Sequence, residues 1–142
     1  ICPPSDKVMK FFDQPSPEEW TKQIVAQLKD ITDRPVEIRL KPNRTHRITG
    51  NSIEDALSNN VHCLITYNSI AALEALNFGK PAIALGPNCA SIVCNTKLEE
   101  VENLHIPDKD EMTALMSHLS YCQFSRNELM NGFAWDTVNE SR

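Results

Sequence analysis

An α/β fold, an open parallel sheet with helices on both faces, is the class this sequence predicts, and three observations predict it. Short β-branched runs alternate with longer apolar runs at helical spacing, the order that builds a parallel sheet with right-handed crossovers. Residues 61–67, VHCLITY, are β-branched and largely apolar, as a strand buried on both faces is. Finally, residues 3–7, 41–47, 67–69 and 86–91, which carry most of the polar side chains of interest, each follow a strand-like run. They therefore share the carboxyl edge, where sheets of this kind bind ligands.

The elements follow in order. Ile1-Cys2-Pro3-Pro4 reads as the tail of a strand entering a loop, and no Met precedes it. That start reads as a fragment whose N-terminal part is missing, and the length predicts one Rossmann-like domain over residues 1–142. SPEEWTKQIVAQLKDIT opens with a capping box, Ser16 as N-cap, Pro17 at the first helical position and Glu19 three residues on. Trp20, Ile24, Leu28 and Ile31 then recur on one helical face. VEIRL, residues 36–40, predicts a short strand, and Ser52 a cap for a brief helix over residues 53–57. Residues 69–78 read as helix stopped by Gly79, and residues 81–85, PAIAL, as the next strand. A helical turn is expected at residues 90–93. Pro107-Asp108 starts a helix carrying Met112, Leu115, Met116 and Leu119. A last helical segment, residues 126–138, is expected to pack Leu129, Met130, Phe133 and Trp135 on the body.

Composition narrows the function classes. At 142 residues, with 41% hydrophobic and 23% charged content, the chain is an ordinary globular domain rather than a disordered one. A net charge of −5 argues against a general nucleic-acid binder. No apolar run approaches the roughly 18 residues that a membrane span needs. Five cysteines, an odd number with no C-x-x-C pair, point to a reducing, cytoplasmic setting. His46, His62, His105 and His118 are scattered without ligand spacing, so no metal site is expected. Neither a G-x-G-x-x-G nor a P-loop sequence is present.

Charge is unevenly placed. Arg34, Arg39, Lys41, Arg44 and Arg47 face a single acid, Glu37, over residues 34–47, whereas residues 99–111 carry six acids and one Lys. A basic patch on an acidic chain points to an anionic ligand. In TYNSIAALEALNFGKPAIALGP, Asn68 and Ser69 lie where a strand runs into a helix. Free amides and the positive end of the dipole would meet a phosphate there, with side-chain donors from Asn68 and Ser69 beside them. The same pair also caps helices that bind nothing. Lys41 directly follows a strand and is placed to reach that phosphate; strand alternation sets Arg39 on its face. Glu74 sits within AALEAL, where it either bonds ligand hydroxyls or points to solvent. Gly86, in GPNCAS with Asn88, lets backbone approach a ligand or simply turns. Ser5, Asp6 and Tyr67 are further polar groups on this edge.

Together, KPNR and ITYNSIAALEALNFGKPAIALGPN resemble the C-terminal, nucleotide-sugar-binding half of GT-B glycosyltransferases of the capsule-polysaccharide type. Residues 121–135, YCQFSRNELMNGFAW, are similar to a segment of glycosyltransferase-like proteins encoded in bacteriophage genomes. The resemblance covers residues 39–88 well and the rest more vaguely. It implies that Asn68 and Ser69 cradle the donor phosphate, that Glu74 bonds the donor ribose, and that Lys41 with Arg44 forms the basic motif. It also implies a metal-independent transfer whose only small-molecule partner besides the acceptor is the nucleotide-sugar donor, with no separate cofactor. The family's His-Pro after Lys-Pro is replaced by Asn43-Arg44, so that histidine's role is lost or moved to His46. No residue is assigned as catalytic base. A non-catalytic Rossmann-like binding module and an α/β enzyme acting on a small phosphorylated metabolite stand as alternatives.

Overall fold

A computed structural model of the chain describes residues 1–41 and 52–140. Two three-residue strands form its centre, β1 (Leu64–Thr66) and β2 (Ala82–Ala84), paired in parallel with Ile65 opposite Ile83. All six strand residues are buried. Single parallel bridges add Cys2 beside Thr66 and Asn95 beside Ile83. The β-branched runs of the sequence thus become strands, and the fold is mixed α/β, but among the described residues the sheet stops at two strands.

Strand alternation sends neighbouring residues to opposite faces, and each face has its own core. Leu64 and Ala82 join Leu57, Leu73, Leu76 and Leu115. These come from α3 (Ile53–Ser58), α4 (Ala71–Asn77) and α5 (Lys109–Tyr121). On the other face Ile65 and Ile83 join Met9, Trp20, Ile24 and Leu28 of α1 (Asp6–Phe11) and α2 (Pro17–Ile31). Leu98 and Val101 of a 3-10 turn, Leu98–Glu102, complete that core. Thr66 is fully buried; its hydroxyl donates to the Cys2 carbonyl at 2.9 Å, which removes the cost of hiding it.

Local chemistry explains where the helices begin and end. Ser16 Oγ accepts from Glu19 N at 3.2 Å, but Glu19 accepts from Gln23 Nε2 rather than returning the bond, so the expected capping box is half made. Ser52 with Asp55, and Asp108 with Glu111, make complete boxes for α3 and α5. At the end of α4, Gly79 has φ +74°, with Lys80 N bonded to Ala75 O (2.9 Å) and Gly79 N to Leu76 O (3.0 Å). That is a Schellman ending, and it explains why Gly-Lys-Pro separates α4 from β2.

Two expectations fail. Residues 36–40 form no strand. They meet Ile1 through two backbone bonds, Ile1 N to Glu37 O (2.6 Å) and Arg39 N to Ile1 O (2.8 Å), while Val36, Ile38 and Leu40 stay 38%, 47% and 72% exposed. The alternation is present, but its apolar side is left largely uncovered by the described residues. The C-terminal segment divides into α6 (Arg126–Met130) and α7 (Phe133–Glu140) around Gly132, φ +87°. Leu129, Met130, Phe133 and Trp135 are exposed rather than packed on the body, and Ala134 alone is buried there.

One polar tether joins α2 to the 3-10 turn. Glu102 accepts from Arg34 Nε and Nη2, both at 2.9 Å, and from the Thr32 hydroxyl. These bonds, Arg34 first and then Thr32, hold its carboxyl down to about 2 from an ordinary 4.5. A lowered folded-state value contributes stability that is present above the unfolded value and lost as pH falls through the folded one. The stability gap between the native chain and Glu102→Gln is therefore expected to be full at neutral pH and to close between about pH 4.5 and 2. Urea midpoints at pH 7 and 2.5 measure it, and a gap that persists in acid would contradict the tether. Salt shrinks the gap, because both partners are about half exposed.

Candidate functional site

Because Cys2 and β2 both run parallel to β1, the segments that follow Cys2, Thr66 and Ala84 leave from one edge of the sheet. Ser5 and Asp6 stand there at the start of α1, both exposed; the Ser5 carbonyl receives Val8 N and Met9 N at 3.0 and 3.1 Å. Asn68 and Ser69 are half-buried between β1 and α4. Gly86 and Asn88 follow β2. Three of the four loops read from the sequence as an edge, at residues 3–7, 67–69 and 86–91, leave from one side of the sheet; the fourth, residues 41–47, lies outside the described residues beyond Lys41.

Their local roles differ from simple ligand contact. α4 begins at Ala71, not Ser69, and Ser69 itself takes its first amides. Ala71 N donates to Ser69 Oγ (3.2 Å) and Ala72 N to Ser69 O (3.2 Å). These two amides are thus not open to a phosphate. A hydroxyl that accepts one bond keeps its own proton to donate, so Ser69 retains a side-chain donor. Asn88 reaches back across the edge. Its Nδ2 donates to Ser69 O at 2.9 Å and its Oδ1 accepts from Ala90 N at 2.9 Å. Ala90 and Val93 close the turn expected at residues 90–93, Val93 N to Ala90 O at 3.0 Å.

Tyr67 is a core residue. It is 9% exposed, with ring contacts to Phe12 at 5.8 Å and Trp20 at 6.3 Å. Gly86 lies against that ring, and a Cβ there would come within 2.6 Å of Tyr67 Cζ. The ring is therefore a sufficient reason for the glycine. Glu74 is the one exposed position of residues 71–76: Ala71, Ala72, Leu73, Ala75 and Leu76 are buried, and Glu74 faces solvent. Its carboxylate carries no burial cost that a ligand would have to relieve.

The basic group is only partly in view. Lys41 is exposed and follows no regular strand. Arg39 is half-buried near Cys2, whose thiol is pushed up first by burial, against the pull of the N-terminal ammonium and of the Arg39 guanidinium. Arg39 and Lys41 therefore have different surroundings. Arg44 and His46 lie outside the described residues.

A separate cavity of about 380 Å³ opens beside residues 61–65, where the chain enters β1. Leu28, Arg34, Ile53, Leu57, His62 and Cys63 are among its walls, and none of Asn68, Ser69, Gly86 or Asn88 lines it. Burial raises the Cys63 thiol to about 11, which keeps it protonated and a poor nucleophile at neutral pH. Arg34 and Arg39 of the basic run are among its walls, but the cavity itself was not legible in the sequence, since its other walls come from segments far apart in the chain.

Among the described residues no group of three or more His, Cys, Asp or Glu side chains could hold a metal ion, and no helix is long and apolar enough to cross a membrane. All five cysteines are free thiols. Comparison with protein-family models, curated proteins and solved structures finds no match in any of the three.

Proposed function

We propose that the chain is the nucleotide-sugar-binding domain of a GT-B type glycosyltransferase, working in a reducing, cytoplasmic setting and transferring a sugar to a saccharide or other acceptor. The donor phosphates lie at the carboxyl edge, against the Ser69 hydroxyl and the Asn68 amide, and Lys41 supplies positive charge. These groups stabilise the leaving diphosphate electrostatically, with no metal required. The observation that carries the reading is the Asn88–Ser69 bond, which brings the loops after β1 and β2 together at the edge where α/β sheets take ligands. The sequence resemblance over residues 39–88 adds the donor class.

Thermal unfolding against UDP, GDP, ADP, CMP and their sugar conjugates tests it. A ligand that binds only the folded state adds about 2.7 kcal/mol at a hundredfold excess over Kd. One base series is expected to raise the midpoint, and Ser69→Ala or Lys41→Ala to remove most of the rise. Cys89, exposed and 3.7 Å from Asn88 Oδ1, is expected to be shielded from alkylation by the same ligand. No shift with any nucleotide would overturn the reading. A sugar phosphate that protects as well as a nucleotide would favour an enzyme of small phosphorylated metabolites.

A further inference from the structure

We propose that Asn88 is a positioning residue: its side-chain amide clamps the loop after β2 onto the loop after β1 and so fixes where the Ser69 hydroxyl stands. The functional half of this inference rests on the nucleotide reading above; the structural half does not.

The pairing of the two strands continues past their ends. Leu85 N donates to Thr66 O at 2.9 Å, and Gly86 N to Tyr67 O at 2.8 Å. The next residue, Pro87, has no N–H, so the backbone ladder ends there. Asn88 makes the following tie with its side chain, from Nδ2 to Ser69 O across 19 positions of sequence. Its Oδ1 simultaneously receives Ala90 N, which fixes the amide plane and assigns its two ends. Ser69 is thereby held at three points: its carbonyl by Asn88 and Ala72 N, its hydroxyl oxygen by Ala71 N. A hydroxyl held in this way loses little freedom on meeting a ligand, and that is how a group acts through another without touching the ligand. Asparagine suits the place because it offers a donor and an acceptor one carbon from the backbone. Aspartate keeps the acceptor for Ala90 N but sets a carboxylate against the Ser69 carbonyl.

Residue-resolved amide hydrogen exchange tests the clamp with no ligand present. In Asn88→Ala, exchange at Ala71, Ala72 and Ala90 is expected to quicken about tenfold beyond any change at Ile83 or Leu85. Asn88→Asp is expected to preserve protection at Ala90 and lose it at Ala71 and Ala72. Exchange that rises uniformly, or not at all, overturns the clamp. The functional arm uses the nucleotide that protects the native chain, with Kd measured where every variant is folded. Asn88→Ala is expected to weaken it about tenfold, whereas Ile24→Val, in the core around α2, leaves it within twofold. An unchanged Kd in Asn88→Ala overturns the positioning role even if exchange quickens. If the native chain binds none of the nucleotides, the glycosyltransferase reading and the positioning role fall together, and the exchange result still decides the clamp.

Discussion

Trp20→Ala is expected to remove about 3–5 kcal/mol of folding stability, a large share of the roughly 5–15 kcal/mol that a domain of this size has in total. Trp20 is 6% exposed on the inner side of α2, in the core shared with Ile65 and Ile83. Its ring meets Tyr67 edge to face, centroids 6.3 Å apart at 82°, and Tyr67 in turn meets Phe12. Truncation takes away the buried area and opens a cavity beside a strand residue that cannot collapse into it. The second tryptophan supplies a contrast inside the same molecule. Trp135 is 73% exposed, and Trp135→Ala is expected to stay within about 0.5 kcal/mol. Urea unfolding of both variants measures the difference. Equal losses, or a loss below about 1 kcal/mol at Trp20, would mean that the α2 core is not packed as described.

The contrast between the two tryptophans also marks what could be read in the sequence. Helix starts were legible because caps are local: Ser16, Ser52 and Asp108 each bond an amide within three residues. The end of α4 at Gly79 was legible for the same reason. Periodicity identified the buried stripe of Trp20, Ile24 and Leu28 but not its end, since Ile31 in the last turn is 37% exposed, and it marked Leu129, Met130, Phe133 and Trp135 by the same rule. The first stripe found a sheet to lie on and the second did not. An apolar face in a sequence shows that burial would be favourable, not that a partner lies within the chain. Residues 36–40 teach the same lesson for strands. Their alternation is correct, yet a strand needs a paired neighbour over several residues, and among the described residues Ile1 alone bonds this backbone.

At the site, the shared edge was legible because it depends only on the order of strands and loops. The side-chain roles were not, because each is decided by a contact between distant positions. Asn88 was read as a ligand contact and turns out to hold Ser69. The amides expected to be open at the start of α4 are taken by Ser69 itself. Glu74 carried two readings; it is exposed, so its carboxylate needs no buried partner and remains open to a ligand hydroxyl.

Gly86→Ala is the sharpest case of such a distant contact, and it is expected to cost about 1–3 kcal/mol through overpacking alone. The added methyl would stand 2.6–2.7 Å from three atoms of the Tyr67 ring. Real Cβ atoms do not come so close, so either the ring or the loop must move. The ring has little room, since Phe12 and Trp20 hold its other edges and it is only 9% exposed. The loop is tied as well, by Gly86 N to Tyr67 O at 2.8 Å and then by Asn88 to Ser69. The clash should therefore ease when the ring is made smaller. In a double-mutant cycle with Tyr67→Leu, the two losses are expected to be less than additive by about 0.5–3 kcal/mol, the usual range for residues in contact. Strict additivity would sink the packing account. So would a Gly86→Ala variant of native stability that has lost its nucleotide, because that result would return the glycine to the ligand, as the sequence alone had allowed.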